Sequence, residues 1–286
     1  MSKPFIHVVS LSGGKDSTAM LLKMLEQNMP VDIILFCDTG LEFPDMYKHL
    51  DEIERFTRRN ITRLKAPFSF EYYFMDTVVK RRNAQDFIEK YGRLYNGNSW
   101  PGPRQRWCTS RLKDAPREKF LSLLKKQYTV IEYVGIAADE EYRLKRKVNK
   151  KENVRHPLVE WGMTESECLR YCYEKGFNWN GLYNHFKRVS CWCCPLQPLS
   201  ELRILYNYYP ELWKQLREWD DKTWRKFRAD YSVRELEIRF EFEKECIARN
   251  EKINNKVFFD KLYKRLKAKA PTEVAGAFKS VIPHQK

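Results

Sequence analysis

The chain has 286 residues, of which 43% are hydrophobic and 14% aromatic, enough apolar side chain to build a substantial core. This composition excludes an intrinsically disordered protein, and no apolar run approaches the ~18 residues that a membrane span requires. The 53 basic and 38 acidic residues leave a formal net charge of +15, which indicates either an anionic partner, such as a nucleotide or nucleic acid, or a well-solvated basic surface.

The N-terminal residues do not read as a secretory signal. A strand-like run begins directly after Pro4, and no small-residue cleavage site closes an apolar stretch. We therefore expect a cytoplasmic protein with no membrane association. In that reducing compartment the eight cysteines are not expected to form structural disulfides.

The first two thirds of the chain alternate between strand and helix patterns. Helices are predicted from Ser17 to Glu26 and from Asp45 to Arg58, the second of them opened by Pro44. Short apolar runs rich in β-branched residues predict buried strands from Phe5 to Leu11, from Val31 to Phe36 and from Ile131 to Ile136.

This alternation predicts an α/β fold, a doubly wound and mostly parallel sheet with helices on both faces. We assign residues 1–200 to this nucleotide-binding domain. Residues 77–110 are polar and rich in Gly and Pro, and we expect a loop or lid there. Residues 201–286 are expected to form a helical, basic C-terminal extension.

Open parallel sheets bind ligands beyond the carboxyl ends of their strands. Three stretches of this sequence follow directly on predicted strands: Ser12 to Ser17, Cys37 to Gly40, and Gly135 to Arg143. Because the carboxyl ends of parallel strands share one edge of the sheet, we expect these three stretches to form one ligand site.

The first stretch reads Ser12-Gly13-Gly14-Lys15-Asp16-Ser17. Its glycine pair lets the backbone approach a ligand closely, and the helix that follows points free N–H groups and its positive dipole end at the same spot. Ser12 and Ser17 add hydroxyl donors, Lys15 adds a positive charge, and Asp16 either caps the helix or holds a magnesium ion. The string predicts a phosphate-binding loop. The alternative is an ordinary strand-to-helix turn.

Four of the cysteines form a candidate metal site. Cys108 is joined by the closely spaced Cys191, Cys193 and Cys194, and cytosolic cysteines so grouped commonly bind metal or take part in chemistry. Thiolate ligands suit an iron–sulfur cluster as well as tetrahedral zinc, and a group of unligated thiols is the third possibility. The remaining cysteines are expected to be packing residues, namely Cys37, Cys168, Cys172 and Cys246.

The SGGKDS string resembles the signature of the PP-loop nucleotide α-hydrolases, which cleave ATP between the α and β phosphates. Five further elements, in the same order along the chain, resemble those of phosphoadenosine phosphosulfate (PAPS) reductase relatives, so the resemblance covers roughly residues 5–200. They run from Asp38 to Pro44, from Trp107 to Lys113, from Gly135 to Arg143, from His156 to Trp161 with Leu182-Tyr183, and from Cys191 to Pro195.

The resemblance implies specific roles for these residues. ATP with Mg²⁺ would bind Ser12, Gly13, Gly14, Lys15, Asp16 and Ser17, with Asp38, Thr39, Gly40, Gly135 and Arg143 completing the nucleotide site. Lys15, Asp16, Cys108 and Lys113 would be catalytic. A [4Fe–4S] cluster would be held by Cys108, Cys191 and Cys194, with Cys193 as the fourth ligand or with one iron left open to carry sulfur. Zinc is the alternative metal.

Two departures from the reductase pattern decide the expected reaction. Known sulfonucleotide reductases end in a nucleophilic cysteine near Gly and His, and this chain has no such motif. The first loop of those reductases also usually departs from SGGKDS, because their substrate has no β–γ pyrophosphate to release, whereas the string is intact here. We therefore expect cleavage of ATP to AMP and pyrophosphate, which activates an acceptor for iron–sulfur-assisted sulfur transfer. Ala137 stands where the family often has Arg, which removes one expected contact with a substrate phosphate, although Arg143 remains.

Two alternatives stay open: a phosphoadenylyl-sulfate or adenylyl-sulfate reductase, and a non-catalytic protein that binds nucleotide or nucleic acid. Basic stretches from Arg143 to Arg155 and from Lys252 to Lys269 suggest tRNA or DNA as a partner, unless they are solvated surface. A sulfur-donor protein is a further expected partner.

Overall fold

The computed structural model describes residues 3–145 and 152–269, which form two compact units. The first unit consists of the chain up to Tyr73 together with Arg104–Cys194. The second consists of Phe74–Pro103 and the chain from Pro195 onward. Each unit is therefore discontinuous in sequence.

Strands and helices are numbered along the chain. The strands are β1 (Phe5–Ser10), β2 (Ile33–Asp38), β3 (Ile61–Lys65), β4 (Thr129–Val134) and β5 (Val154–Arg155). The helices of the first unit are α1 (Lys15–Glu26), α2 (Pro44–Thr57), α4 (Ala115–Leu124), α5 (Pro157–Glu160), α6 (Glu165–Glu174) and α7 (Leu182–His185). Those of the second are α3 (Ala84–Tyr91), α8 (Leu199–Tyr208), α9 (Pro210–Lys222), α10 (Val233–Ala248) and α11 (Lys256–Lys269).

The sheet of the first unit has the order β3-β2-β1-β4-β5, and each neighbouring pair is parallel. The predicted parallel α/β fold with a helical C-terminal part is confirmed. The chain leaves β1 toward β2 on one side and later returns to β4 on the other side. The ends of β1 and β4 thus form the switch point where open α/β sheets bind ligands.

The sequence located the inner strands and missed the outer ones. β2 ends at Asp38, two residues beyond the predicted strand, and β4 ends at Val134, so Gly135 follows it directly. β3 was not predicted because only Ile61 of its five residues is buried, which leaves the hydrophobic pattern of a strand incomplete.

The core of the first unit forms around the second half of β1, which lies between β2 and β4. Val8 and Val9 have no exposed surface, and Val8 packs with Leu35 of β2, Val130 of β4 and Leu121 of α4. This burial on neighbouring strands fixes their register, so the residues that follow each strand occupy defined positions at the carboxyl edge.

The second unit is built around aromatic side chains. Trp100 is 1% exposed and packs against Phe74, Trp219 and Phe227. The expectation that residues 77–110 form a loop was therefore wrong for part of that segment, which contains α3 and a core tryptophan. Its Gly and Pro residues mark turns between packed aromatic residues.

No helix in the described part of the chain is both long and apolar enough to cross a membrane.

Asp220 of α9 is a buried carboxylate that joins two segments of the second unit. Its Oδ1 accepts a hydrogen bond from Trp100 Nε1 at 2.8 Å, and its Oδ2 accepts one from the Val233 backbone N–H at 2.7 Å. Burial raises the pKa of Asp220 to about 6, against the partial opposition of these two donors.

The raised pKa predicts a pH-dependent contribution to stability. The folded state binds the Asp220 proton more tightly than the unfolded state does, so this contribution is complete below pH about 4 and is lost as the pH rises through about 6. Between pH 4 and 7 the wild type should lose about 2–3 kcal/mol of unfolding free energy relative to Asp220→Asn, measured by urea denaturation. Asp221→Asn, which alters a surface ion pair with Arg234, should show the same pH dependence of the unfolding free energy as the wild type. Equal pH slopes for wild type and Asp220→Asn would contradict the assignment.

Candidate functional site

The chain turns sharply between β1 and α1. Gly13 has φ +79°, and a Cβ at this position would lie 2.4 Å from Met46 Sδ. The backbone conformation therefore favours glycine, and any larger residue would also have to displace the Met46 side chain of α2. Helix α1 begins two residues later at Lys15, and Gly14 at its N-cap has no side chain to cover the first backbone N–H groups.

The two serines of the loop, Ser12 and Ser17, are hydrogen-bonded to each other. Their hydroxyl oxygens lie 3.0 Å apart, and the Ser12 backbone N–H donates to Ser17 Oγ at 3.1 Å. Ser17 Oγ in turn donates to the Gly14 carbonyl at 3.1 Å. The hydroxyls thus hold the loop in shape, while the Ser12 residue is exposed.

Gly135 brings the end of β4 against this loop. A Cβ on Gly135 would lie 2.9 Å from Ser17 Cα and 3.0 Å from Ser17 N. The structure therefore joins two of the three stretches predicted to share a site, and only glycine permits the approach.

Lys15 is buried at 6% exposure, and its ammonium group is held by two carboxylates. Its Nζ lies 2.7 Å from Glu165 Oε1 and 3.2 Å from Asp16 Oδ2. Burial lowers the pKa of Lys15, but the charge of Asp16 and the hydrogen bonds to Asp16 and Glu165 outweigh burial and raise the pKa above its usual value. Lys15 is therefore a fixed positive charge at the start of α1.

Three carboxylates converge beside this lysine. Asp16, Glu140 and Glu165 each offer an oxygen within 4.8 Å of the others. Burial raises the pKa of Asp16, and the Lys15 charge offsets part of that rise. Oxygen ligands are those that Mg²⁺ prefers, so the donor set fits a divalent cation.

The nearby Arg143 is half-buried and forms an ion pair with Glu140. This places the last residue of the third predicted stretch beside the carboxylate group. Of the basic stretch from Arg143 to Arg155, residues 146–151 lie outside the described part of the chain.

The end of β2 forms a second cluster. Asp38 Oδ1 accepts hydrogen bonds from the Gly40 N–H at 2.9 Å and from the Tyr47 hydroxyl at 2.8 Å, while Oδ2 lies 3.4 Å from Lys65 Nζ. Asp38 thus anchors the turn at Thr39 and Gly40. Its predicted contact with nucleotide stays a prediction.

Thr39 and Glu42 link that turn to the cysteine group. Glu42 is buried, and its Oε1 accepts from Thr39 Oγ1 at 3.3 Å, from Lys113 Nζ at 3.5 Å and from Cys191 Sγ at 3.7 Å. Burial lowers the pKa of Lys113, but the Cys191 sulfur and Glu42 outweigh it and raise the pKa. Lys113 lies in a π-helical turn, Thr109–Asp114, that directly follows Cys108.

The four predicted ligand cysteines occupy one neighbourhood of the first unit. Burial raises the pKa of the Cys193 thiol well above its usual value, and the sulfurs of Cys191, Cys194 and Cys108 raise it further. Cys191 and Cys194 are joined by a backbone hydrogen bond of 3.1 Å. Cys193 is buried and the other three are half-buried, so a deprotonated Cys193 sulfur would require a cationic partner.

Thiolates are ligands of iron–sulfur clusters and of tetrahedral zinc alike, so the kind of metal at this cysteine group stays a prediction.

The burial of the other cysteines agrees with a packing role. Cys168, Cys172 and Cys246 are at most 1% exposed, and Cys37 is half-buried with its sulfur 3.5 Å from the Lys113 carbonyl.

Sequence reasoning missed several residues of the site. Glu140 lay inside a predicted stretch without being singled out, and Glu165 looked like an ordinary acidic residue in the first turn of α6. Tyr183 was noted only as part of a two-residue resemblance, yet its hydroxyl accepts the Lys15 backbone N–H at 2.8 Å.

Gly135→Ala should destabilise the first unit by about 1–3 kcal/mol, because its Cβ would press on the Ser17 backbone. Gly14→Ala is the matched control: its φ is −74° and its closest contact would be 3.4 Å, so the cost should be clearly smaller. Thermal unfolding of both variants measures the difference. Equal melting temperatures would show that the approach of β4 to the loop is not tight.

The sequence model of the phosphoadenosine phosphosulfate reductase domain matches residues 6–197. Two uncharacterized proteins of Methanocaldococcus jannaschii are 26% and 29% identical over 237 and 221 residues; each alignment covers 75% of this chain but 42% and 47% of the relative. This chain therefore spans less than half the length of either archaeal relative.

A nin-region protein of Escherichia phage lambda is 33% identical over 159 residues, or 50% of this chain and 51% of that protein. A PAPS reductase from Candida auris in complex with phosphate superposes with a TM-score of 0.41 and 16% identity, covering 65% of this chain and 81% of that one. Since the family model spans well over half of the sequence, the chain belongs to the phosphoadenosine phosphosulfate reductase domain family.

Proposed function

We propose that the chain is a PP-loop enzyme that cleaves ATP to AMP and pyrophosphate in order to activate an acceptor for sulfur transfer. The observation that carries the proposal is the fixed charge of Lys15 at the start of α1, where the N-cap residue is a glycine, within an intact SGGKDS loop. A polyphosphate is the ligand that this combination of amides and ammonium recognises.

The first step is adenylation. An acceptor oxygen attacks the α-phosphorus, the bond from that phosphorus to the oxygen bridging the α and β phosphates breaks, and pyrophosphate leaves with the electron pair. Lys15 and the backbone N–H groups of the loop stabilise the charge that develops on pyrophosphate. Asp16, Glu140 and Glu165 would hold a magnesium ion, which supplies charge neutralisation to the phosphates.

The second step is displacement of AMP by sulfur. A sulfur nucleophile attacks the activated carbon of the acceptor, and the carbon–oxygen bond to AMP breaks. Cys108, Cys191, Cys193 and Cys194 would hold the iron–sulfur cluster, which supplies iron to bind sulfur. Lys113, paired with Glu42, places a positive charge beside Cys191.

Cys246 is not placed to act as a nucleophile in sulfonucleotide reduction. That reaction needs an accessible thiol, whereas Cys246 is 1% exposed in α10 and packs with Phe242, Phe258 and Leu262. Sulfite release dependent on a thiol donor would nevertheless restore that alternative.

A nucleic acid is the acceptor class that the charge of the chain favours. Besides the formal net charge of +15, four exposed lysines lie along α11 of the second unit, namely Lys256, Lys261, Lys264 and Lys267. A phosphate backbone is the complementary partner, so tRNA or DNA remains our proposed substrate, with a sulfur-donor protein as a second partner.

Lys15→Ala should abolish release of AMP from α-labelled ATP in the presence of Mg²⁺ and candidate tRNA or DNA, lowering the rate at least about 100-fold, because a preorganised charge on the leaving group is lost. Lys48→Ala, at an exposed lysine of α2, should retain wild-type turnover. Wild-type protein that binds ATP without releasing AMP would instead support a non-catalytic nucleotide-binding role.

Anaerobically purified protein should contain iron and sulfide and show a broad absorption band near ~400 nm. Cys191→Ala should lose that band and most of the iron, since a thiolate ligand is removed. Cys246→Ala should keep both. Colourless protein containing stoichiometric zinc would overturn the cluster and leave the zinc alternative.

A further inference from the structure

Tyr183 of α7 reaches the phosphate loop from a distant part of the chain. The Lys15 backbone N–H donates to its hydroxyl at 2.8 Å, and the same hydroxyl lies 3.4 Å from where a Cβ on Gly14 would stand. The tyrosine oxygen therefore lies at the first amide of α1, the position where a helix N-terminus binds an anion.

Packing holds the Tyr183 ring in place. It meets Trp179 edge-to-face, with ring centroids 4.8 Å apart, and Trp179 has no exposed surface. Trp179 Nε1 donates to the Gly13 carbonyl at 2.7 Å, so both aromatic residues are fastened to the loop. The hydroxyl is positioned before any ligand arrives.

The hydroxyl still has a hydrogen to donate. A phenol offers one donor and can accept two hydrogen bonds, and the bond from Lys15 uses only an acceptor position. Burial raises the pKa of Tyr183, so the oxygen keeps its proton under physiological conditions. A neutral donor is useful here because Asp16 and Glu165 already bring negative charge to the loop.

We propose that Tyr183 is a phosphate-binding residue: its O–H donates to a phosphate oxygen of the nucleotide while its oxygen continues to accept the Lys15 amide. The inference rests on the proposed nucleotide site. It adds to that site a side chain that lies 168 residues from Lys15 in the sequence. It concerns binding of the polyphosphate and is independent of the reaction that follows.

The experiment is calorimetric titration of the full chain with MgATP and, separately, with magnesium pyrophosphate. Tyr183→Phe keeps the ring and should weaken the binding of both ligands about tenfold or more, since a hydrogen bond to a charged oxygen is lost. Tyr171→Phe, which removes a hydroxyl bound to Glu26 on the surface of α6, should bind both ligands like the wild type.

Trp179→Phe distinguishes a residue that contacts the ligand from one that only supports the loop. The substitution removes the hydrogen bond to the Gly13 carbonyl and reduces the volume of the buried side chain. It should therefore lower the melting temperature more than Tyr183→Phe does and weaken ATP binding less. Equal or tighter binding by Tyr183→Phe, or an equal loss in Trp179→Phe, would overturn the inference and leave the proposed function intact. Wild-type protein that binds neither ATP nor pyrophosphate would overturn both.

Discussion

The site depends on the close approach of two strand ends at the centre of a parallel sheet. β1 delivers the glycine turn and the start of α1, and Gly135 at the end of β4 lies against the Ser17 backbone. The first N–H group of α1, on Lys15, donates to the Tyr183 hydroxyl, and the Lys15 ammonium group lies beside the carboxylates at the same helix start.

The balance of charge around the loop explains why both a cation and a polyanion are expected there. Asp16, Glu140 and Glu165 bring three carboxylates together. Their cationic partners are Lys15 and Arg143, so the cluster carries one formal net negative charge. A divalent cation would correct this and would allow phosphates to enter. Without it, phosphate oxygens and carboxylates would repel each other.

Much of the site could be predicted because its signal is local. The SGGKDS string, the stretch at the end of β2 and the stretch after β4 each follow a buried strand whose apolar pattern is visible in sequence. Glu165 and Tyr183 could not be found this way, because their partners lie 150 and 168 residues away and only the packing of α6 and α7 brings them to Lys15. Residues 74–103 likewise gave no sign that Trp100 would pack with α9.

The most direct test follows the backbone amides themselves. ¹⁵N-labelled protein titrated with MgATP should show its largest amide shifts at Gly13, Gly14, Lys15, Asp16 and Ser17, with Gly135 moving alongside them. Shifts confined to the second unit, or to residues away from the carboxyl edge of the sheet, would contradict the account.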